Sequence, residues 1–216
     1  IRPRALVASY GKLLSSSYFM ACGLVMAGGI GAFYTLAVVL PFILMNRIGL
    51  SPTAFGFSML AQSGAFFAGS LTVRHTIRRF GAYRILPAGI FFIVAGSIGL
   101  AVLLRVFEPT FALVMLPVAL YAYGAAFVMP AMSTASLAPF PHIAGAAAAL
   151  GGFLQMGGGL VGGLFASLFG DPVMALATVV PGLGVTALLS WLWWRSQPEP
   201  VMARMVLPAT QEPPAE

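Results

Sequence analysis

The sequence predicts an all-α integral membrane protein with six transmembrane helices. Of its 216 residues, 60% are hydrophobic and only 7% are charged, which leaves too few polar side chains to cover a water-soluble globule. The apolar residues fall into six long runs, and the breaks between the runs contain proline, glycine and charged residues. Lipid is therefore the expected solvent for most of the chain.

Each apolar run is long enough to cross a bilayer. About 20 helical residues span a hydrocarbon core of about 30 Å, because each residue rises about 1.5 Å. The six predicted spans are residues 18–44, 53–73, 85–104, 111–132, 143–169 and 173–194. Ser51 and Asp171 each precede a proline, an arrangement that is typical of a capped helix start.

The predicted spans divide the chain into three parts. Residues 1–17 form a cytoplasmic N-terminal segment, and residues 18–195 form the six-helix transmembrane domain. Residues 196–216 form a cytoplasmic tail rich in proline and glutamate, which predicts disorder. The chain begins at Ile1 without a short apolar core and a cleavage site, so we expect a truncated or processed start and not a signal peptide.

The basic residues predict the orientation of the spans. When loops are assigned alternately to the two sides, one side has nine basic residues and the other has two. The nine are Arg2, Arg4, Lys12, Arg74, Arg78, Arg79, Arg84, Arg195 and Arg204, and the two are Arg47 and Arg105. Basic residues favour the cytoplasmic side, so both termini are predicted to be cytoplasmic.

The densest group of basic residues lies between the second and third spans. We expect a cytoplasmic loop there, with Arg74, Arg78, Arg79, Gly81 and Arg84. The net charge of +6 does not indicate nucleic-acid binding, because the cations are spread between apolar runs and are not clustered with stacking aromatic residues.

The predicted spans lack the groups needed for catalysis. No Asp, Glu, Lys or Arg lies in the middle of any span, so no base, nucleophile pair or metal cluster can be assembled at depth. His75 and His142 are expected in loops without metal-ligand spacing, and the single cysteine, Cys22, is expected to be a small packing residue. The sequence therefore predicts no enzyme activity, no metal and no cofactor.

Neutral polar side chains are the candidates for lining a substrate cavity. The candidates are Tyr34, Thr35, Gln62, Tyr121, Tyr123 and Gln155. For each of them the alternative is a hydrogen bond between helices. Tyr121 and Tyr123 lie about 200° apart around one helix, so at most one can face a cavity squarely. Such a cavity would suit amphipathic, mainly uncharged solutes.

Small residues recur on single helix faces, which allows helix backbones to approach closely. One such face is Gly23, Ala27 and Gly31 in the first span. The face in the fifth span is Gly145, Ala149, Gly152, Gly159 and Gly163. This second face could serve either of two purposes: contact with another helical bundle, or packing inside the six-helix unit. The sequence does not choose between them.

Three stretches of the chain resemble the Bcr/CflA drug-resistance transporters of the major facilitator superfamily. Residues 129–130, 136–150 and 152–155 closely resemble the region that joins helices ten and eleven, and Ala-Pro-Phe-Pro-His-Ile-Ala-Gly at 138–145 is its most specific part. Residues 69–86 are similar to the basic loop between helices eight and nine, and residues 10–14 with 49–56 fit the entry into the second half. The resemblance covers about residues 10–194.

This resemblance implies helices seven to twelve, half of a major facilitator fold made of two three-helix inverted repeats. It implies the C-terminal half of a proton-coupled multidrug efflux permease, an antiporter of the bacterial inner membrane associated with antibiotic resistance. The implied mechanism is alternating access around a midplane site. The implied partners are the lipid bilayer, protons, a drug-like small molecule and a missing N-terminal six-helix half, with no nucleic acid.

Two departures from the family pattern concern charge. The family's loop often carries an Asp after its Gly-x-Leu, but Val73 follows Thr72 here, which argues against a charge latch. The proton-accepting acid of family members usually lies in the first half, which this sequence does not contain. The alternative is a free-standing six-helix membrane protein with a binding or scaffolding role.

Overall fold

The structure is a computed structural model that describes residues 3–197, and over that range it is helical without β-strands. The seven α-helices are α1 (Pro3–Leu14), α2 (Ser17–Pro41), α3 (Pro52–Phe80), α4 (Leu86–Val106), α5 (Phe111–Leu137), α6 (Ala144–Ser167) and α7 (Pro172–Ser196). A π-helical segment, Phe42–Arg47, continues α2, and a 3-10 turn, Pro141–Ile143, precedes α6. The all-α prediction is confirmed. Most of the predicted tail, residues 198–216, lies outside the described residues.

Five of the described helical stretches are long and apolar enough to cross a membrane. They are Ser17–Arg47, Leu86–Val106, Phe111–Leu137, Pro141–Ser167 and Pro172–Ser196. The remaining predicted span, residues 53–73, is also helical because it lies within α3, but α3 is more polar than the other five helices. Crossing of the membrane by α3 therefore stays a prediction.

Side-chain caps start several of the helices. Ser51 Oγ accepts a hydrogen bond from the amide of Ala54 at 3.2 Å, and Asp171 Oδ1 accepts one from the amide of Val173 at 3.2 Å. Each cap satisfies an amide that has no partner within the first turn of its helix. Both predicted helix starts are confirmed.

Two helices, α2 and α5, form the centre of the bundle. Helix α2 packs against α6 and α7, while α5 packs against α3 and α4. The two central helices also contact each other, and α4 contacts α7. These six helix pairings are symmetric. The same set of pairings results when the label α2 is exchanged with α5, α3 with α6, and α4 with α7. The amphipathic segment α1 packs on α6 and α2, with Leu13 fully buried beside Phe19 and Phe140.

The loop between α3 and α4 is shorter than predicted, because α3 continues through Arg74, Arg78 and Arg79 to Phe80. The apolar face of α3 also continues, since Val73 is buried with Ile77 packed beside it. The helix ends only at Gly81, whose φ of 80° suits glycine.

The longer α3 corrects two sequence-based expectations. Of the expected loop residues, only Gly81 and Arg84 lie in the loop. His75, which was also expected in a loop, is an exposed residue of α3.

A proline in α7 is matched by an arginine in α4. Pro181 has no amide hydrogen, so the carbonyl of Ala177 lacks the hydrogen bond that residue 181 would donate in a regular helix. The guanidinium of Arg105 donates to that carbonyl at 2.7 Å and to Thr178 Oγ1 at 2.8 Å. It also donates to the carbonyl of Ala101 in its own helix at 2.8 Å. Arg105 thus joins the end of α4 to the defect in α7.

The contact between Arg105 and Pro181 predicts a stability effect that depends on the proline. Arg105→Met should cost about 1–2 kcal/mol through the lost charged hydrogen bonds, seen as a lower melting temperature of the purified chain in detergent. In a Pro181→Ala background the loss should be smaller, because the new amide supplies a partner for Ala177. Arg47→Met is the control, since Arg47 has no hydrogen bond in the described structure. Equal losses in both backgrounds would contradict this pairing.

Candidate solute-binding surface

Tyr34 and Thr35 are neighbours on α2, but they lie in different surroundings. The Tyr34 side chain is 42% exposed, and its ring covers Gly159 of α6 so closely that a Cβ at Gly159 would lie 2.5 Å from Tyr34 Cβ. Thr35 is completely buried beside Gly162, and its Oγ1 has no hydrogen-bond partner in the described structure. Tyr34 is accessible to a solute from the open side of this helix pair, while Thr35 is not.

Tyr121 and Tyr123 bond to different helices. Tyr121 is fully buried, and its hydroxyl donates to the carbonyl of Gly28 in α2 at 2.6 Å. Tyr123 keeps some exposed surface, its hydroxyl is 3.0 Å from Thr72 Oγ1 in α3, and its ring lies 5.0 Å from that of Phe92. The alternative of a hydrogen bond between helices therefore describes both tyrosines. Tyr121 does not reach an open surface.

The two glutamine candidates differ in burial. Gln62 is only 8% exposed and lies on the inner face of α3 with Ser58, whose hydroxyl donates to the carbonyl of Ala54 at 2.9 Å. Gln155 on α6 is half-buried. The six candidates are thus divided between interior and surface, and Tyr34, Tyr123 and Gln155 are the ones that retain accessible area.

A largely apolar groove lies at the bundle surface between α3 and α5. Its volume is about 500 Å³. The residues that line it are Phe66, Ser70, Val73, Arg74 and Ile77 of α3 and Ala126, Met129, Pro130 and Ser133 of α5. The ring of Phe66 lies 5.5 Å from that of Phe33 of α2, so α2 adjoins the α3–α5 groove at Phe66.

The sequence contained a signal for this groove. Phe66, Ser70, Val73 and Ile77 follow the spacing of one helix face, and that face runs beyond the predicted end of the second span at residue 73. Assigning the basic residues from Arg74 onward to a loop concealed the continuous face.

The opposite end of the bundle carries a polar depression of about 260 Å³. Arg47, Arg105, Glu108 and Asp171 are its charged lining residues. Opposite charges thus meet where the loop after α4 approaches the start of α7. Because the guanidinium of Arg105 is already bonded to α7, we regard this depression as part of the framework that joins helix ends.

The small-residue faces pack partly on each other. Gly31 of α2 lies against the backbone of Gly158 of α6, where an added Cβ would be 2.9 Å from a carbonyl carbon. Gly159 packs under Tyr34, so packing inside the unit is what the structure shows for this residue. Gly163 has only Val38 nearby, at 3.8 Å, and its contact is looser.

The rest of the small face on α6 has no partner in the described structure. An added Cβ at Gly145 or Gly152 would meet nothing within 4 Å, and Ala149 is exposed. The face therefore divides into an inner part on α2 and an open part toward the start of α6.

These features define the class of the protein. A helical chain with several membrane-length apolar helices, joined at glycine contacts, is a polytopic α-helical membrane protein. Its sequence is similar to that of Multidrug resistance protein D of Escherichia coli (strain K12), with 28% identity over 194 residues. The alignment covers 87% of this chain and 47% of the relative, so the chain spans about half the length of that relative. No family model and no solved structure matches the chain.

The contact between α2 and α6 predicts opposite effects at two adjacent glycines. An added Cβ at Gly158 would lie 2.6 Å from the carbonyl oxygen of Ala27, whereas one at Gly157 would meet nothing within 4 Å. Gly158→Ala should therefore destabilise the chain by about 1–3 kcal/mol through overpacking. Gly157→Ala should be neutral or stabilise it by up to about 1 kcal/mol, because alanine favours the helix. Melting temperatures of the purified variants test the pair, and similar shifts in both would refute the close approach.

Proposed function

We propose that this chain is the C-terminal half of a proton-coupled multidrug efflux permease of the major facilitator superfamily. It exports amphipathic small molecules across the bacterial inner membrane by alternating access. The observation that carries the proposal is the similarity of this chain to a multidrug resistance protein, over about half of that relative's length. The resemblance of residues 129–155 to the Bcr/CflA transporters supports the narrower family.

Six membrane crossings require that α3 also spans the bilayer. Its 29 residues give a length of about 43 Å, which exceeds the hydrocarbon core. The polar groups of α3 are largely satisfied locally. The hydroxyls of Ser58, Ser70 and Thr72 donate to carbonyls four residues earlier, and Gln62 faces inward. Local pairing lowers the cost of placing these residues in lipid and supports a sixth span.

The helix pairings support two inverted repeats, one of α2–α4 and one of α5–α7. Each repeat supplies one central helix, which packs against the second and third helices of the other repeat. Repeats of this kind are common in secondary transporters, where a solute site forms between them and rigid units rock around it.

A second half would supply what the described spans lack. Charged residues lie toward the ends of the described helices, so a proton-accepting group at depth must come from elsewhere in the complete transporter. The open small face of Gly145, Ala149 and Gly152 on α6 suits close contact with a helix of that half. The chain alone would therefore form one wall of the substrate cavity.

The proposed orientation, with both termini cytoplasmic, predicts which positions an external reagent can reach. Thr53→Cys and Gly170→Cys should react with an impermeant thiol reagent applied to intact cells, and Phe80→Cys should not. All three native residues are exposed in the structure, and none is a helix-capping side chain. Reaction after cell lysis is the control for accessibility at Phe80. Labelling of Phe80→Cys in intact cells, with Thr53→Cys protected, would reverse the orientation.

The half-transporter proposal predicts that export requires a second six-helix unit. Inside-out vesicles containing only this chain should show no proton-driven uptake of an amphipathic dye, and co-expression with a matching first half should restore it. Proton-driven uptake by the chain alone would refute the half-transporter role.

A leucine substitution tests where the two halves meet. Gly152→Leu should abolish the restored uptake, because a bulky side chain holds the two surfaces apart. Gly182→Leu on α7 is the matched control, since an added Cβ there also meets nothing within 4 Å. Equal losses of uptake in the two variants would argue against α6 as the contact surface.

A further inference from the structure

The α3–α5 groove joins an apolar wall to a single cationic side chain. Phe66, Val73, Ile77 and Met129 give the wall its carbon surface, and they are spread over about three turns of α3 and the facing part of α5. Arg74 is the one charged residue among the lining residues. A site with this composition is suited to an elongated apolar body that carries a polar group at one end.

Arg74 has no anionic partner in the described part of the chain. No ion pair or hydrogen bond of its guanidinium is present between residues 3 and 197, and its side chain is exposed at the groove. The acids in this range, Glu108 and Asp171, lie beside Arg47 at the opposite end of the bundle. A guanidinium presents its donors in a planar fork that matches carboxylate, sulfonate or phosphate groups.

Two further lining residues contribute polar groups near the apolar wall. Pro130 has no amide hydrogen, so the carbonyl of Ala126 lacks the hydrogen bond that residue 130 would donate in a regular helix. Ser133, one turn further along α5, adds a hydroxyl to the same wall. Ala126 is only 2% exposed, whereas Ser133 is exposed, so the Ser133 hydroxyl is the polar group that a solute in the groove can reach.

The position of the groove beside α2 favours a solute over a lipid. Phe66 contacts Phe33 of α2, and the next residue of α2 is the exposed Tyr34. The groove thus adjoins the part of α2 that carries the accessible cavity candidate. In the helix pairings α3 corresponds to α6, so the second half that we propose on the open face of α6 would also cover α3 beside α2.

We propose that the α3–α5 groove is a binding subsite for amphipathic anions, whose apolar body fills the groove while a carboxylate or sulfonate pairs with Arg74. The subsite rests on the proposed efflux function, and it narrows the substrate class from neutral amphipaths to those with an anionic end. A cationic solute of the same shape is disfavoured, because its charge would lie beside the guanidinium.

Binding of two matched probes to the purified chain tests the subsite. The probes are 11-(dansylamino)undecanoate and its methyl ester, which share one apolar body and differ in charge. The chain is placed in nanodiscs of phosphatidylcholine, and saturable fluorescence is measured against empty nanodiscs. We expect the carboxylate to bind more tightly than the ester. Arg74→Gln should weaken carboxylate binding by roughly tenfold or more, the usual effect of losing a hydrogen bond between charged groups, and leave the ester unchanged.

Two further variants separate the groove from a general surface effect. Arg78→Gln removes an exposed cation one turn away that does not line the groove, and it should change neither probe. Ser133→Trp should fill the groove and weaken both probes, while an unchanged melting temperature shows that the fold is intact. Equal effects of Arg74→Gln and Arg78→Gln, or equal affinity for acid and ester, would overturn the subsite.

Failure of the subsite and failure of the efflux role can be told apart. The binding measurement needs neither a second half nor a proton gradient, so it reports on the groove alone. Preferential binding of the carboxylate, without dye uptake by the co-expressed pair, would refute the efflux role and support the anion subsite. Dye uptake by the co-expressed pair, together with equal binding of both probes, would support the efflux role and refute the anion subsite.

Discussion

Every backbone amide and carbonyl inside a bilayer needs a partner within the protein, and the structure depends on this constraint. Regular helices meet it along most of the chain. Prolines interrupt the pattern at Pro41, Pro117, Pro130 and Pro181, where each removes one donor from its helix. The bond from Arg105 to Ala177 shows one of these gaps filled from a neighbouring helix. The corresponding gap at Ala126, left by Pro130, belongs to a residue that is only 2% exposed in the lining of the α3–α5 groove.

Close backbone contact provides the attraction between these helices, because lipid tails leave little hydrophobic driving force for helices to associate. Gly124 of α5 lies against the backbone of Gly89 and Ile93, and Gly28 of α2 lies against the backbone of Leu183 and Ala187. Each central helix therefore makes a glycine contact with the third helix of the other three-helix group. Tyr121 adds a buried hydrogen bond between the two central helices. These contacts fix the core on which the more open helices α3 and α6 are mounted.

The sequence predicted the helices better than it predicted their surfaces. The positions of the long helices followed from apolar run length, and the starts at Ser51 and Asp171 followed from capping chemistry. The predicted end of α3 at residue 73 was wrong. Charged residues indicate a loop only when the apolar helix face also ends, and Val73 and Ile77 continue that face. The π-helical segment Phe42–Arg47 had no clear signal, since its hydrogen-bond shift depends on tertiary contacts.

The candidate cavity residues could be chosen by polarity, but their directions could not be predicted from the sequence. Tyr34 and Thr35 are adjacent in the chain, yet one is accessible and the other is buried. Which side of α2 faces α6 depends on the packing of all the helices together. The α3–α5 groove likewise requires two distant parts of the chain, so neither part shows it alone.

The six long helices are not held equally. Helix α3 packs substantially on α5 alone, with a slight contact to the π-helical segment, whereas the other five each pack against at least two long helices. Helix α3 is therefore held along one face only, and its other faces make few contacts with the described helices. Sliding by a fraction of a turn is the shear motion that packed helices allow. Such a displacement would change the space beside Phe66 and would affect the contacts of Gly69 and Thr72 with Tyr123. It would leave the glycine contacts among α2, α4, α5 and α7 in place, so α3 is the long helix whose position the bundle constrains least.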